Sequence, residues 1–321
     1  MKKLTSIICL LLIVALLPVF SSCSAPDDDG RITIVCTLFP QYDWVRNIVG
    51  SSDNINVTLL IKNGSDPHSY QPSAKDVMEI SSCDMIVYQD GEADLWVQEA
   101  IQRANAESTV KVALSEIEGM TLHDISASSH SHGEHDHEHS HGTTDEHLWL
   151  SLSNAITATK ALAETICALD PDGEEIYKQN SSEYISRLTA LDGEYRSATE
   201  GVTDGFVLFA DRFPFVYLLE DYGIDYSAAF EGCSADVDAG FDTVLSLIKE
   251  ADAHGVKYIA VTESSDKALA TTVASSARSD VEIIVMNSLQ SVTSRQIDEG
   301  ADYIGIMREN LSALKTLIGA K

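Results

Sequence analysis

The chain has 321 residues, 44% of them hydrophobic, and a formal net charge of −29. That length exceeds the usual single domain and favours two, with apolar content ample for their cores. An acidic excess this large excludes nucleic acid and broad contact with anionic headgroups, and suits either a collector of cations or plain solubility.

The chain opens with Lys2 and Lys3, then an apolar stretch over 7–20, then Ser21, Ser22 and Cys23. This is a targeting pattern, too short for a comfortable membrane span. A cysteine after small residues resembles a bacterial lipoprotein signal, with Cys23 lipidated as the mature N-terminus. Ordinary secretion with cleavage nearby is the alternative, and either places the protein outside the cytoplasm. Residues 24–30, with three consecutive aspartates, then form a short tether.

From there, short β-branched runs alternate with helical patterns. Residues 32–38, 55–61, 85–88 and 110–114 read as strands, and 42–49 and 96–106 as helices, with Ser73 as the N-cap of another helix. Such alternation predicts a parallel α/β sheet. Residues 123–144 are low-complexity and predict a disordered excursion. Helices follow at 156–169, stopped by Asp170-Pro171, and at 174–197. The latter keeps Tyr177, Tyr184, Leu188, Leu191 and Tyr195 on one face. The alternation then restarts, with strands at 205–209, 258–262 and 283–286 and helices at 213–222, 241–254, 268–277 and 303–318. The expected organisation is a leader over 1–23, the tether over 24–30, one α/β half over 31–172 and a second over 200–321. A helix over 173–199 joins the halves, and the excursion extends over 123–146.

The chemistry concentrates in histidine. Six of the ten histidines, His130, His132, His135, His137, His139 and His141, lie within twelve residues, and His147 follows shortly after. Neutral imidazole is a leading ligand for zinc-type metals, so this run is either a metal site or an antenna beside one. His137 to His141 formally matches HExxH. That mechanism needs a rigid helical face, and the flanking Gly133 and Gly142 with no apolar stripe argue against one. His68 occupies a loop after the second strand, where open α/β sheets bind ligands, although a lone loop histidine carries little weight. His147 opens the apolar run Leu148-Trp149-Leu150, which would hold its imidazole against the protein. Cys36, Cys83, Cys167 and Cys233 lack metal-ribbon spacing and read as small buried residues, with Cys233 set apart by its Gly-Cys-Ser context.

Residues 66–77 (DPHSYQPSAKDV), 146–151 (EHLWLS), the histidine-rich segment before the latter, and 37–50 (TLFPQYDWVRNIVG) resemble the zinc and manganese solute-binding proteins of ABC uptake transporters. The resemblance extends from about residue 31 to the C-terminus. It implies two (β/α)4-like lobes with parallel sheets, one long connecting helix, and a metal cleft between the lobes. It also implies His68 and His147 as the two ligands from the N-terminal half, an ABC permease and its ATPase as partners, and a monomer.

The second half departs from the family pattern. Ala210 stands where a His or Glu ligand is usual, and Asn287 where the last Asp is usual. Asp211 is the first substitute, weighed against a helix N-cap with Arg212 as salt partner. Glu231, Cys233 and Glu263 are further candidates, and water can complete a site. Asp66, Glu146 or backbone carbonyls would hold the ligand rings from behind. Three readings therefore stand. The first is a lipid-anchored receptor that captures Zn2+, with Mn2+ possible, and delivers it to a permease. The second is a secreted zinc hydrolase, for which no positioned general base is evident. The third is a metal-buffering adhesin with a degenerate cleft.

Overall fold

Two four-stranded parallel sheets organise a computed structural model that describes residues 30–91, 94–104, 108–124, 144–230, 239–278 and 280–320. In the first sheet the order is β2-β1-β3-β4, formed by β1 (Ile32–Cys36), β2 (Ile55–Leu59), β3 (Met85–Tyr88) and β4 (Val110–Ala113). In the second it is β6-β5-β7-β8, from β5 (Phe206–Phe209), β6 (Asp225–Ala228), β7 (Tyr258–Thr262) and β8 (Glu282–Met286). Every pairing is parallel. Parallel strands require crossovers and are covered on both faces, which is why the central strands read as unbroken apolar runs. The MIVY of β3 is buried at every position.

The crossovers of the first half are α1 (Phe39–Val49), α2 (Ala74–Ser82) and α3 (Leu95–Ala104). Helix α2 begins at Ser73, whose hydroxyl accepts from Asp76 N while the Asp76 carboxylate accepts from Ser73 N, a reciprocal cap. Helix α4 (Leu152–Leu169) starts four residues before the expected position 156, because Ser151 caps it by accepting from Asn154 N. Then comes α5 (Glu174–Thr199), 26 residues long, or roughly 39 Å at 1.5 Å per residue. Its buried face is Tyr177, Ser181, Tyr184, Leu188, Leu191 and Tyr195.

The second half contributes α6 (Val216–Asp221), α7 (Phe241–His254), α8 (Ala268–Ser276), α9 (Ser294–Asp298) and α10 (Tyr303–Leu317). Helix α5 packs on α4 and α1 from the first half and on α10 from the second. Three tyrosine hydroxyls fix these contacts. Tyr177 donates to Asp170 at 2.6 Å, Tyr184 to Asp43 at 3.1 Å, and Tyr195 to Met307 O at 2.6 Å. The same Asp43 oxygen, Oδ2, also accepts from Tyr303 N at 3.2 Å, so one carboxylate joins α1, α5 and α10. Burial pushes the Asp43 carboxyl up to about 6, against the hydrogen bonds from Tyr303 and Tyr184.

Two elements escape the sequence pattern. Strand β6 is the edge sequence DYSA, exposed at Asp225 and half-buried at the other three positions, and has no apolar run to mark it. Helix α9 has no buried residue. Residues 123–124 and 144–146, placed by the sequence in an excursion over 123–146, are ordered. Asp124 and Thr144 form an antiparallel bridge, Asp145 N donates to His123 O at 2.8 Å, and Asp145 is buried. His130, His132, His135, His137, His139 and His141 lie outside the described residues, as do Cys23, Glu231 and Cys233. The described cysteines Cys36, Cys83 and Cys167 are buried free thiols. No described helix is long and apolar enough to cross a membrane.

Candidate metal centre

His68 is carried by a single 3-10 turn, Pro67–Ser69, in the loop that follows β2. Asp66 caps that turn by accepting the His68 N–H at 3.0 Å, and Pro67 fixes the first turn residue. The imidazole Nδ1 lies 3.2 Å from Glu146 Oε1, with both side chains only 14% exposed. Gly91 makes that pair possible, because any side chain there would collide with the Glu146 carboxylate.

His147 precedes a second 3-10 turn, Leu148–Leu150, whose three side chains are all buried. Its own side chain is 2% exposed. The Asp145 carboxylate grips it twice, accepting from His147 N at 2.9 Å and facing Nδ1 at 2.9 Å. Trp149 packs edge-on against the ring at 5.3 Å between centroids and donates Nε1–H to Ser288 O of the second half at 2.8 Å. Behind these residues Tyr217, on α6, donates its hydroxyl to Asp145 O at 2.6 Å.

The two imidazoles therefore converge, with centroids 5.8 Å apart and planes at 45°. Each Nε2 is buried. A carboxylate on Nδ1 favours the tautomer protonated at Nδ1, which presents the Nε2 lone pair, the form in which histidine ligates metals. Nearby, burial pushes the Asp94 carboxyl up to about 6, against the hydrogen bond it accepts from Gln89 N and helped by the charge of Glu146.

The second-half candidates hold other partners. Asp211 Oδ2 accepts from Thr262 N at 2.9 Å and Thr262 Oγ1 at 2.6 Å, which ties the end of β5 to the end of β7. Arg212 pairs with Asp66 at 2.6 Å across the cleft, not with Asp211. Asn287 Oδ1 accepts from Leu289 N at 2.8 Å, closing its own turn. Glu263 accepts from Ser288 N, Ser288 Oγ and Ser291 Oγ at 2.7–2.8 Å. A cavity of about 530 Å³ opens between these strand ends and the His68 loop, lined by Asp66, Asp211, Arg212, Glu263 and Gln290 among others. Among the described residues, no group of three His, Cys, Asp or Glu side chains closes on a common point. The structure thus brings His68 and His147 together and leaves Asp211 and Asn287 in bonds of their own. Asp145, Gly91 and Tyr217 are the contributors that sequence patterns did not mark.

Residues 34–317 match the family model described as the periplasmic zinc-uptake complex component A. The high-affinity zinc uptake system protein ZnuA of Bacillus subtilis is 34% identical over 307 residues, covering 96% of this chain and 94% of that protein. The zinc-binding protein AdcA of Streptococcus pyogenes is 28% identical over 298 residues, and the match takes in 89% of this chain but only 56% of AdcA. This chain therefore spans little more than half the length of that relative. Among solved structures, the Zn(II)-bound ZnuA-like domain of Streptococcus pneumoniae AdcA superposes with a TM-score of 0.71 at 29% identity, covering 90% of this chain and 99% of that domain. A family model that takes in nearly the whole described chain, a relative matched almost end to end, and two opposed imidazoles in an interlobe cleft agree: the chain belongs to the ZnuA family of zinc-uptake complex components.

Proposed function

We propose that this chain is the extracytoplasmic substrate-binding component of an ABC metal importer, which captures Zn2+ in the cleft and hands it to a membrane permease served by an ATPase. The observation that carries this reading is the pair of carboxylate-backed imidazoles 5.8 Å apart. Imidazole pairs suit zinc, whereas manganese sites lean toward carboxylate oxygen, so Zn2+ is the cargo. His68 and His147 are the ligands. Asp211 and Asn287 join them only by exchanging their present hydrogen bonds for the metal, and water completes the coordination shell. The chain acts as a carrier and not as an enzyme.

In this reading the protein is a monomer, residues 1–23 are a lipoprotein leader, and a lipidated Cys23 anchors it through the tether over 24–30. The lobes are 31–172 and 200–321, linked by 173–199. A Streptococcus pneumoniae relative that is 31% identical is named a zinc-binding lipoprotein, which supports the anchor. The histidines of 130–141 recruit zinc near the cleft by raising its local concentration.

Zinc titration against a competing chelator tests the reading. The mature chain should hold one tight ion, and His68→Ala and His147→Ala should each abolish it while weak sites persist. A parent with weak sites alone would leave the buffering adhesin as the better account.

A further inference from the structure

We propose that His123 and Glu220 form a second, superficial zinc site, an entry station on the route to the cleft; the role as entry station rests on the zinc-capture reading above. His123 belongs to the segment that leads into the histidine-rich stretch, and Glu220 to α6 of the second half. His123 Nδ1 lies 2.9 Å from Glu220 Oε2, with side chains 23% and 41% exposed. The cleft pairs built from His68 and His147 are 14% exposed or less. Two described pairs meet solvent: His254–Glu250, at 3.4 Å and within the single helix α7, and His123–Glu220, which is the one that joins the segment next to the cleft to the second half.

Its orientation is fixed before any ion arrives. The His123 ring packs edge-on against Tyr217 with centroids 4.6 Å apart, and His123 N donates to Tyr217 Oη at 3.1 Å. Surrounding charge favours a cation. Asp221 follows Glu220 in the chain and feels the charges of both Asp192 and His123, and Arg196 is the counter-charge, bonded to Asp192 at 2.9 Å. Asp221 and Asp192 are already engaged, accepting from Ser151 Oγ and Tyr222 Oη respectively. Glu220 is therefore the carboxylate left to act with the imidazole.

An N···O separation of 2.9 Å is a few tenths short of the ~3.3 Å that two tetrahedral ligands adopt around zinc at bonds of about 2.0–2.1 Å. A small outward turn of the exposed Glu220 lets Zn2+ sit between Nδ1 and Oε2, with water filling the other positions. Two protein donors make the site weak and fast to exchange, as an entry station must be. The route onward is short. His123 O accepts from Asp145 N at 2.8 Å, and Asp145 is the residue whose carboxylate grips His147.

The test is made on the full mature chain with Zn2+ alone. Long-range 1H–15N spectra follow the His123 imidazole, identified by its loss in His123→Ala, and stopped-flow mixing follows loading of the tight site. The expected result is that His123 nitrogens shift as zinc is added beyond the first equivalent. His123→Ala and the shape-conserving Glu220→Gln should each slow loading severalfold and leave the affinity of the tight site unchanged. Unmoved His123 nitrogens, or loading rates equal to the parent's in both variants, would overturn the proposal. If the parent holds no tight ion, the capture reading fails and the entry role with it. The His123 spectra still decide whether the second site exists.

Discussion

A neutral amide at position 145 would keep the shape of the aspartate and remove the charge that stabilises a proton on His147 Nδ1. Carboxylates behind a ligating imidazole raise its basicity and fix its tautomer, and their loss typically costs 10–100-fold in metal affinity. Asp145→Asn is therefore expected to weaken tight zinc binding by about that factor while leaving the far-ultraviolet circular dichroism unchanged. Chelator competition reads the first effect, and an unchanged affinity would deny Asp145 its role. That His68 and His147 come together was legible in the sequence through the distinctive string in which each stands. The roles of the surrounding residues were not legible, because they depend on partners distant along the chain. Asp211 is settled by Thr262, 51 residues on, and Arg212 by Asp66, 146 residues back. No local pattern records such a pairing, and a helix cap with a neighbouring salt partner was an equally sound local reading.

Helix α5 shows how far a periodic pattern can be trusted. Its tyrosines and leucines recur on one face, and that face is the one buried. Leu188 lies at its middle with no exposed surface. Leu188→Ala should lower unfolding stability by about 2–5 kcal/mol, measured by urea denaturation, with tight zinc binding intact at temperatures where the variant is folded. A loss below 0.5 kcal/mol, about the level of an exposed substitution, would place the residue outside the core. Strand β6 marks where periodicity runs out. An edge strand pairs on one side and faces water on the other, so DYSA satisfies its backbone without an apolar signature. The short α9 is likewise set by a local cap, Thr293 with Gln296, and not by any buried stripe.

Across the whole molecule, pH acts on stability through buried carboxyls as well as through metal binding. Asp43 titrates near 6 in the folded chain and near the usual ~3.9 when unfolded. Between those values the native state holds a proton that the unfolded state has released. Unfolding free energy therefore declines as pH rises through the interval, and the contribution is lost above about 6. A shift of this size corresponds to roughly 3 kcal/mol as an order of magnitude. Urea titrations of zinc-free protein at pH 4.5 and pH 7, bracketing the folded value of about 6, should show a smaller difference between the two for Asp43→Asn than for the parent. Equal differences would show that another group carries the effect. The parallel alternation made two sheets legible in advance, whereas the meeting of α1, α5 and α10 on one carboxylate involves residues up to 260 positions apart.

That separation also bears on the order in which the chain becomes structured. Asp43 is made early, Tyr184 midway and Tyr303 near the end, so the carboxylate at the heart of the first half waits for the last helix to supply a backbone N–H. Until then it is either hydrated, keeping α1 from closing, or buried without a full set of donors. The donor set of Asp43 is complete only once α10 has been made. Contacts this distant in sequence form late, because the loop they close is long. The joint on which α1, α5 and α10 meet is thus one that closes only when the whole chain is available.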